Sequence, residues 1–296
     1  LILLSNVLLR YLDFSKNQII IFTFLIIFSK IFITLIAWFT VSVLIFAYIL
    51  TILSILFFFI SIDKNNFLYY ILSVLLATSA IFVREELYVI PIILSLLYFY
   101  KYNINFTNLY DCIKRVFLFF IVVFFHIFLR KKFIPEANHL EIIGSKIYYG
   151  DEIISLGGYI KTLKSSFLPM GYYSSKYSDI IQTCFSLLWI ILILTSIIFL
   201  LIYVNKITNF KKGIIKVFIL ILLVLTSCLP HLTIERSFGI FLPCLFALLT
   251  LSVLIEKLFF IKDFFKGKMF LILNIFPIII FLLGILGGIY RSNLHA

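Results

Sequence analysis

Residues 31–62 contain no charged residue, no glycine and no proline. As a continuous helix this stretch would be about 48 Å long, at 1.5 Å per residue. That exceeds the ~30 Å of hydrocarbon in a bilayer, which about 20 apolar residues suffice to cross. A break near Trp38–Thr40 is therefore expected, dividing the stretch between two apolar helices. A globule could not hide such runs from water. Hydrophobic residues make up 64% of the chain and charged residues 13%, against roughly 25% charged in a soluble domain. Mean hydropathy is +1.20. The expectation is an all-α polytopic membrane protein forming one transmembrane domain over residues 1–296. Disorder, a nucleic-acid-binding domain and a secreted disulfide scaffold are excluded.

Nine apolar runs are expected to span: 19–37, 41–62, 67–83, 87–102, 114–129, 180–204, 214–230, 238–255 and 269–290. Residues 1–9 are too short to span and read as the tail of a helix. No signal peptide is visible at Leu1. The net charge of +12 fits basic loops that fix orientation, with no need for a nucleic-acid partner. Arg10, Lys16, Lys64, Lys101, Lys114, Arg115, Lys206, Lys211, Lys212, Lys257, Lys262, Lys266 and Lys268 fall on one side of the alternating spans. The short loops of the other side carry only Lys30, Arg84, Arg236 and Arg291. The positive-inside rule places the first set in the cytoplasm. The protein's expected location is the bacterial inner membrane, or the endoplasmic reticulum in a eukaryote.

This orientation gathers the chemically capable segments on the external face: Arg84-Glu85-Glu86, the long loop 130–179, and His231 with Glu235 and Arg236. In the loop, Ile153, Leu156, Ile160, Leu163 and Phe167 recur at helical spacing, with Lys161 and Lys164 off the stripe. Residues 152–168 are thus expected to form an interfacial helix, either a plain connector or a cover over a lipid-linked substrate. Arg84 and Arg236 each precede an external helix start, where free N–H groups and the dipole favour phosphate. Alternatively they anchor helix ends by snorkelling. His231 stands four residues before Glu235, while His126 lies in a Phe-rich run and reads as a packing histidine. Cys112, Cys184, Cys228 and Cys244 show no metal-ligand spacing, so no metal is expected. No GxxxxGK[ST] loop is present, which excludes ATP-driven transport within this chain. Asn105 and Thr107 fit a glycosylation sequon but fall on the cytoplasmic side. The abundance of Ile and Phe reads as codon bias, so the phenylalanines carry little functional weight.

These stretches resemble the GT-C superfamily of membrane glycosyltransferases, in particular the polyprenyl-phosphate-sugar-dependent branch that includes TPR-type protein O-mannosyltransferases. Asn6 is similar to an early Asn-bearing helix of the family, and Ala37-Trp38 to its turn before a long span. Residues 77–91, with Arg84, Glu85 and Pro91, are similar to its basic-acidic hairpin. Residues 159–169 are similar to its external helix, and Glu235-Arg236 with Pro243 to a later helix start. Where the family often has His-Pro and then Glu, Ser29-Lys30 and Thr34 stand here. Val41-Ser42-Val43 replaces its charged residues after the Trp, and the 296 residues hold no TPR array.

The resemblance implies inverting transfer of a sugar from a polyprenyl-phosphate donor to a protein or glycan acceptor, without a further cofactor. It implies substrate-binding roles for Arg84, Arg236, Glu235, His231 and Lys164. By the same resemblance Glu85 is the best candidate for a catalytic carboxylate among the residues present, positioning the acceptor or a basic partner. The family's general base belongs to a first external loop that would precede Leu1. Three alternatives stay open: an enzyme like an O-antigen polymerase or ligase, a lipid-linked-glycan transporter or flippase, and a catalytically incomplete fragment. A transporter should show charges within spans or paired broken helices, and neither these nor an internal repeat is seen.

Overall fold

The computed structural model of the protein describes residues 1–27, 42–133, 210–232 and 241–261. Among these residues it is all-helical, with no strand. The helices are α1 (Ile2–Tyr11), α2 (Lys16–Ile27), α3 (Ser42–Asp63), α4 (Phe67–Val83), α5 (Ile90–Tyr102), α6 (Phe106–Phe133), α7 (Phe210–Ser227) and α8 (Phe241–Ile261). Two 3₁₀ turns, Glu85–Val89 and Leu229–Leu232, complete the set. Ile45–Asp63 and Phe106–Arg130 are each long and apolar enough to cross a membrane. The break near Trp38–Thr40, the loop helix 152–168 and the runs 180–204 and 269–290 lie outside the described residues.

The principal packing pairs close into a circuit. α1 packs on α3, α3 on α4, α4 on α6, α6 on α5, α5 on α7, α7 on α8, α8 on α2, and α2 on α1. The α3–α4 contact is a seam of small residues. Ala47, Thr51, Ser54 and Ser61 lie on one face of α3, and Ser73, Ala77 and Ala80 on one face of α4; all are buried. Spacings of three and four put each set on one stripe, and small side chains let the backbones approach closely. Phe58, also on the α3 stripe, packs edge-on against Phe119 of α6.

The short connections at one end of the circuit share a device. Asp13, Asn65 and Asn103 each adopt positive φ, at 61°, 46° and 65°. Asp and Asn tolerate this left-handed region better than other non-glycine residues. Asn66 then caps α4, its side chain accepting from the Leu68 N–H at 2.9 Å. The Asn108 amide donates to the Tyr102 and Asn103 carbonyls at 2.7 and 3.1 Å, fastening the start of α6 to the end of α5.

The same end holds two polar clusters. Lys101 Nζ meets Asp63 Oδ2 at 2.7 Å and lies over the Tyr11 ring, 4.2 Å from its centroid. The Tyr102 hydroxyl donates to the same carboxylate. Nearby, the buried Glu256 of α8 accepts from the Ser15 hydroxyl and, at 2.6 Å, from the Gln18 amide. Two expected boundaries are corrected here. α6 runs from Phe106 to Phe133, so Lys114 and Arg115 at one end and Arg130 at the other are helical, not loop residues. α8 continues past residue 255, so Glu256 lies within a helix. Charged side chains end an apolar run without ending a helix, since Lys, Arg and Glu are good helix formers.

Candidate functional site

The opposite end of the circuit is built around the chain break at Arg84. α4 stops where Arg84 turns extended, at φ −148° and ψ 115°. The next five residues wind as a 3₁₀ turn, and α5 starts afresh with Pro91 in its first turn, where proline's missing N–H costs nothing. A 3₁₀ turn has three residues per turn, so residues three apart eclipse and adjacent ones diverge by about 120°. Glu85 and Tyr88 therefore share a face, and Glu86 points elsewhere.

The contacts follow that geometry. Glu85 forms an ion pair with Arg130 of α6. The Tyr88 hydroxyl lies 2.7 Å from His126 Nδ1, and Phe82 packs edge-on against the same imidazole. His126 and Arg130 are four residues apart, one above the other on α6. Two side chains of the turn thus meet two side chains of one helix face. Glu86 turns toward α3 instead, where its Oε1 accepts from the Tyr48 hydroxyl at 3.0 Å. Tyr48 is 1% exposed, so its phenol is fixed by packing. Among the described residues the ion pairs are Lys101–Asp63 and Arg130–Glu85, and Arg84 belongs to neither.

The Glu85–Val89 turn also packs against the Leu229–Leu232 turn. The backbone carrying His231 therefore meets the backbone carrying Glu85 and Glu86, though they are far apart in sequence. Glu235, Arg236 and Lys164 lie outside the described residues. Arg130 and Tyr48 are residues the sequence reading did not select, and Glu86 was named there only as part of the Arg84-Glu85-Glu86 segment. The four-residue spacing of His126 and Arg130 was the available signal for the first. Nothing in the sequence marks Tyr48, which sits inside an apolar run.

Among the described residues no group of three or more His, Cys, Asp or Glu side chains could hold a metal. Cys112, Cys228 and Cys244 are buried. What this end offers is two carboxylates held in different directions, two arginines and a histidine–tyrosine contact. Such a set suits polar, hydroxyl-rich and anionic ligands through hydrogen bonding and charge. Comparison of the chain with protein-family models, with curated proteins and with solved structures finds no match.

Proposed function

We propose that this chain is a multi-pass inner-membrane glycosyltransferase resembling the GT-C superfamily. It transfers a sugar from a polyprenyl-phosphate donor to an acceptor hydroxyl of a protein or glycan at the external face. The observation that carries this reading is the packing of the Glu85–Val89 turn on the Leu229–Leu232 turn. It supports one shared site, built from two segments that were singled out separately in the sequence. The separation of this end from the end bearing Asp63 and Lys101 fits the orientation expected from the basic loops.

In the proposed reaction a carboxylate takes the proton of the acceptor hydroxyl as its oxygen bonds to the anomeric carbon. The bond from that carbon to the phosphate oxygen breaks, and its electron pair leaves with the phosphate. A single displacement inverts the anomeric centre. Arg84 stabilises the leaving phosphate, as a charge placed where negative charge develops, and Arg236 is proposed for the same role. Glu85, with Arg130, positions the acceptor, while Glu235, His231 and Lys164 complete substrate binding.

The test is release of undecaprenyl phosphate from its hexosyl derivatives by the full chain in nanodiscs supplied with membrane-protein and glycan acceptors, using a panel of hexoses. Arg84→Ala should reduce release roughly tenfold to a hundredfold, the cost of one charge-assisted contact. Arg84→Lys should recover part of it, since an ammonium lacks the two-pronged geometry. Undiminished release by a folded Arg84→Ala protein would leave Arg84 as an orientation anchor. A wild-type chain releasing no phosphate from any of the panel would defeat the glycosyltransferase reading.

A further inference from the structure

We infer that Glu86, aimed by Tyr48, is the carboxylate that receives the hydroxyl groups of the donor sugar, beside Arg84 on the phosphate. This deepens the proposed function and rests on it. The sequence offers Glu85 and Glu86 as neighbours of equal chemistry, and the structure separates them. Glu85 is engaged by Arg130 on α6. Glu86 takes part in no ion pair among the described residues, and its Tyr48 contact uses one oxygen. A carboxylate has two oxygens and about four acceptor sites, so capacity remains for the paired hydroxyls of a sugar ring. Glu86 is half-buried, and the Tyr48 that holds it is fully buried. Arg84 stands two residues away on the extended segment at the end of α4. A sugar phosphate has the same order of groups: an anion, then a ring of hydroxyl donors.

A purely structural account would have Glu86 do no more than satisfy the buried phenol. A neutral acceptor would serve that purpose equally, without bringing a charge against an apolar helix. The two accounts therefore separate on Glu86→Gln, because the amide oxygen still accepts from Tyr48.

The experiment measures binding of tritiated dodecyl phosphate and of its glucosyl, mannosyl, galactosyl and N-acetylglucosaminyl derivatives to the purified full chain by scintillation proximity. Wild type should bind at least one derivative roughly tenfold more tightly than dodecyl phosphate itself, the increment expected of hydrogen bonds to a charged group. Glu86→Gln should abolish that preference while leaving dodecyl phosphate binding intact. Tyr48→Phe should reduce the preference severalfold by releasing the carboxylate. Ser79→Ala, at an exposed site on α4, should change neither. A preference retained in folded Glu86→Gln overturns the assignment and leaves the glycosyltransferase reading standing. Failure of wild type to bind any of the five probes overturns both.

Discussion

Ser54 and Ser73 exchange hydrogen bonds across the α3–α4 contact. The Ser54 hydroxyl donates to the Ser73 carbonyl at 2.8 Å, and the Ser73 hydroxyl donates to the Ser54 carbonyl at 2.7 Å. Both residues are fully buried. In the proposed membrane setting, helices gain nothing from hiding apolar surface from water, so close packing and interhelical hydrogen bonds hold them together. The reciprocal pair supplies both. Ser54→Ala and Ser73→Ala should each cost about 0.5–1.5 kcal/mol, the usual range for hydrogen bonds between membrane helices. The double variant should cost less than their sum, as expected for contacting residues. Ser54→Leu should cost more than either, by forcing the backbones apart. Unfolding midpoints in mixed micelles give the ranking.

Asp63 and Lys101 fasten α3 to α5 at the opposite end from Arg84. Lys101 is largely buried, its side chain 11% exposed, and Asp63 is more open at 36%. The pair therefore sits between an exposed ion pair, worth up to ~1 kcal/mol, and a buried one, whose breakage costs ~3 kcal/mol or more. Lys101→Met preserves most of the packing against Tyr11 and Phe59 while removing the charge. Its expected cost is ~1–3 kcal/mol, within those bounds. Removing Asp63 as well should restore part of the loss, by relieving the carboxylate of its missing partner. Thermal unfolding of the two single variants and the double variant measures this coupling.

The Glu85–Arg130 pair has side chains about one third exposed on both sides. Its contribution to stability should therefore be small, within ~1 kcal/mol. Its larger effect should be on where the 3₁₀ turn sits relative to α6. Arg130→Ala should leave the unfolding midpoint almost unchanged and reduce transfer activity severalfold. The exchanged double variant Glu85→Arg with Arg130→Glu should regain the midpoint but not the activity. Parallel melting curves and phosphate-release assays separate the two effects.

The proposed orientation makes a prediction about sidedness. Single cysteines replacing Arg84 and Lys64 in a chain lacking its four native thiols should react oppositely with a membrane-impermeant maleimide on intact cells. Position 84 should be labelled, and position 64 should be labelled only after lysis. The reverse pattern would invert the topology and move the Arg84–Glu86 turn away from an external donor.

Several elements were legible because polar residues punctuate the sequence where the backbone turns. α4 coincides with the apolar run 67–83, since Asn66 caps one end and Arg84-Glu85-Glu86 ends the other. α6 was less legible. Asp111, Lys114 and Arg115 interrupt its hydropathy, yet the peptide hydrogen bonds continue through them. Glu256 was hidden for the same reason, one residue beyond an apolar run. The contacts of the site belong to a level that hydropathy does not encode. A buried tyrosine in a run such as 42–62 looks like any other aromatic until the helix carrying Glu86 is placed against it. The different directions of Glu85 and Glu86 depend on a 3₁₀ rather than an α-helical turn. The extended Arg84 and the fresh start at Pro91 determine that locally, but the residue pattern alone did not single it out.

Glu256 and Ser15 are joined by a hydrogen bond although 241 residues separate them. A ribosome adding roughly 5–20 residues each second needs about 10–50 s to make that interval. For all of that time the amide of Gln18 and the hydroxyl of Ser15 exist without the carboxylate that will bind them. The start of α2 therefore waits for its carboxylate partner, with the local Ser15–Gln18 hydrogen bonds already in place. The circuit of helices has a last joint to close, and the order of synthesis assigns that joint to α8.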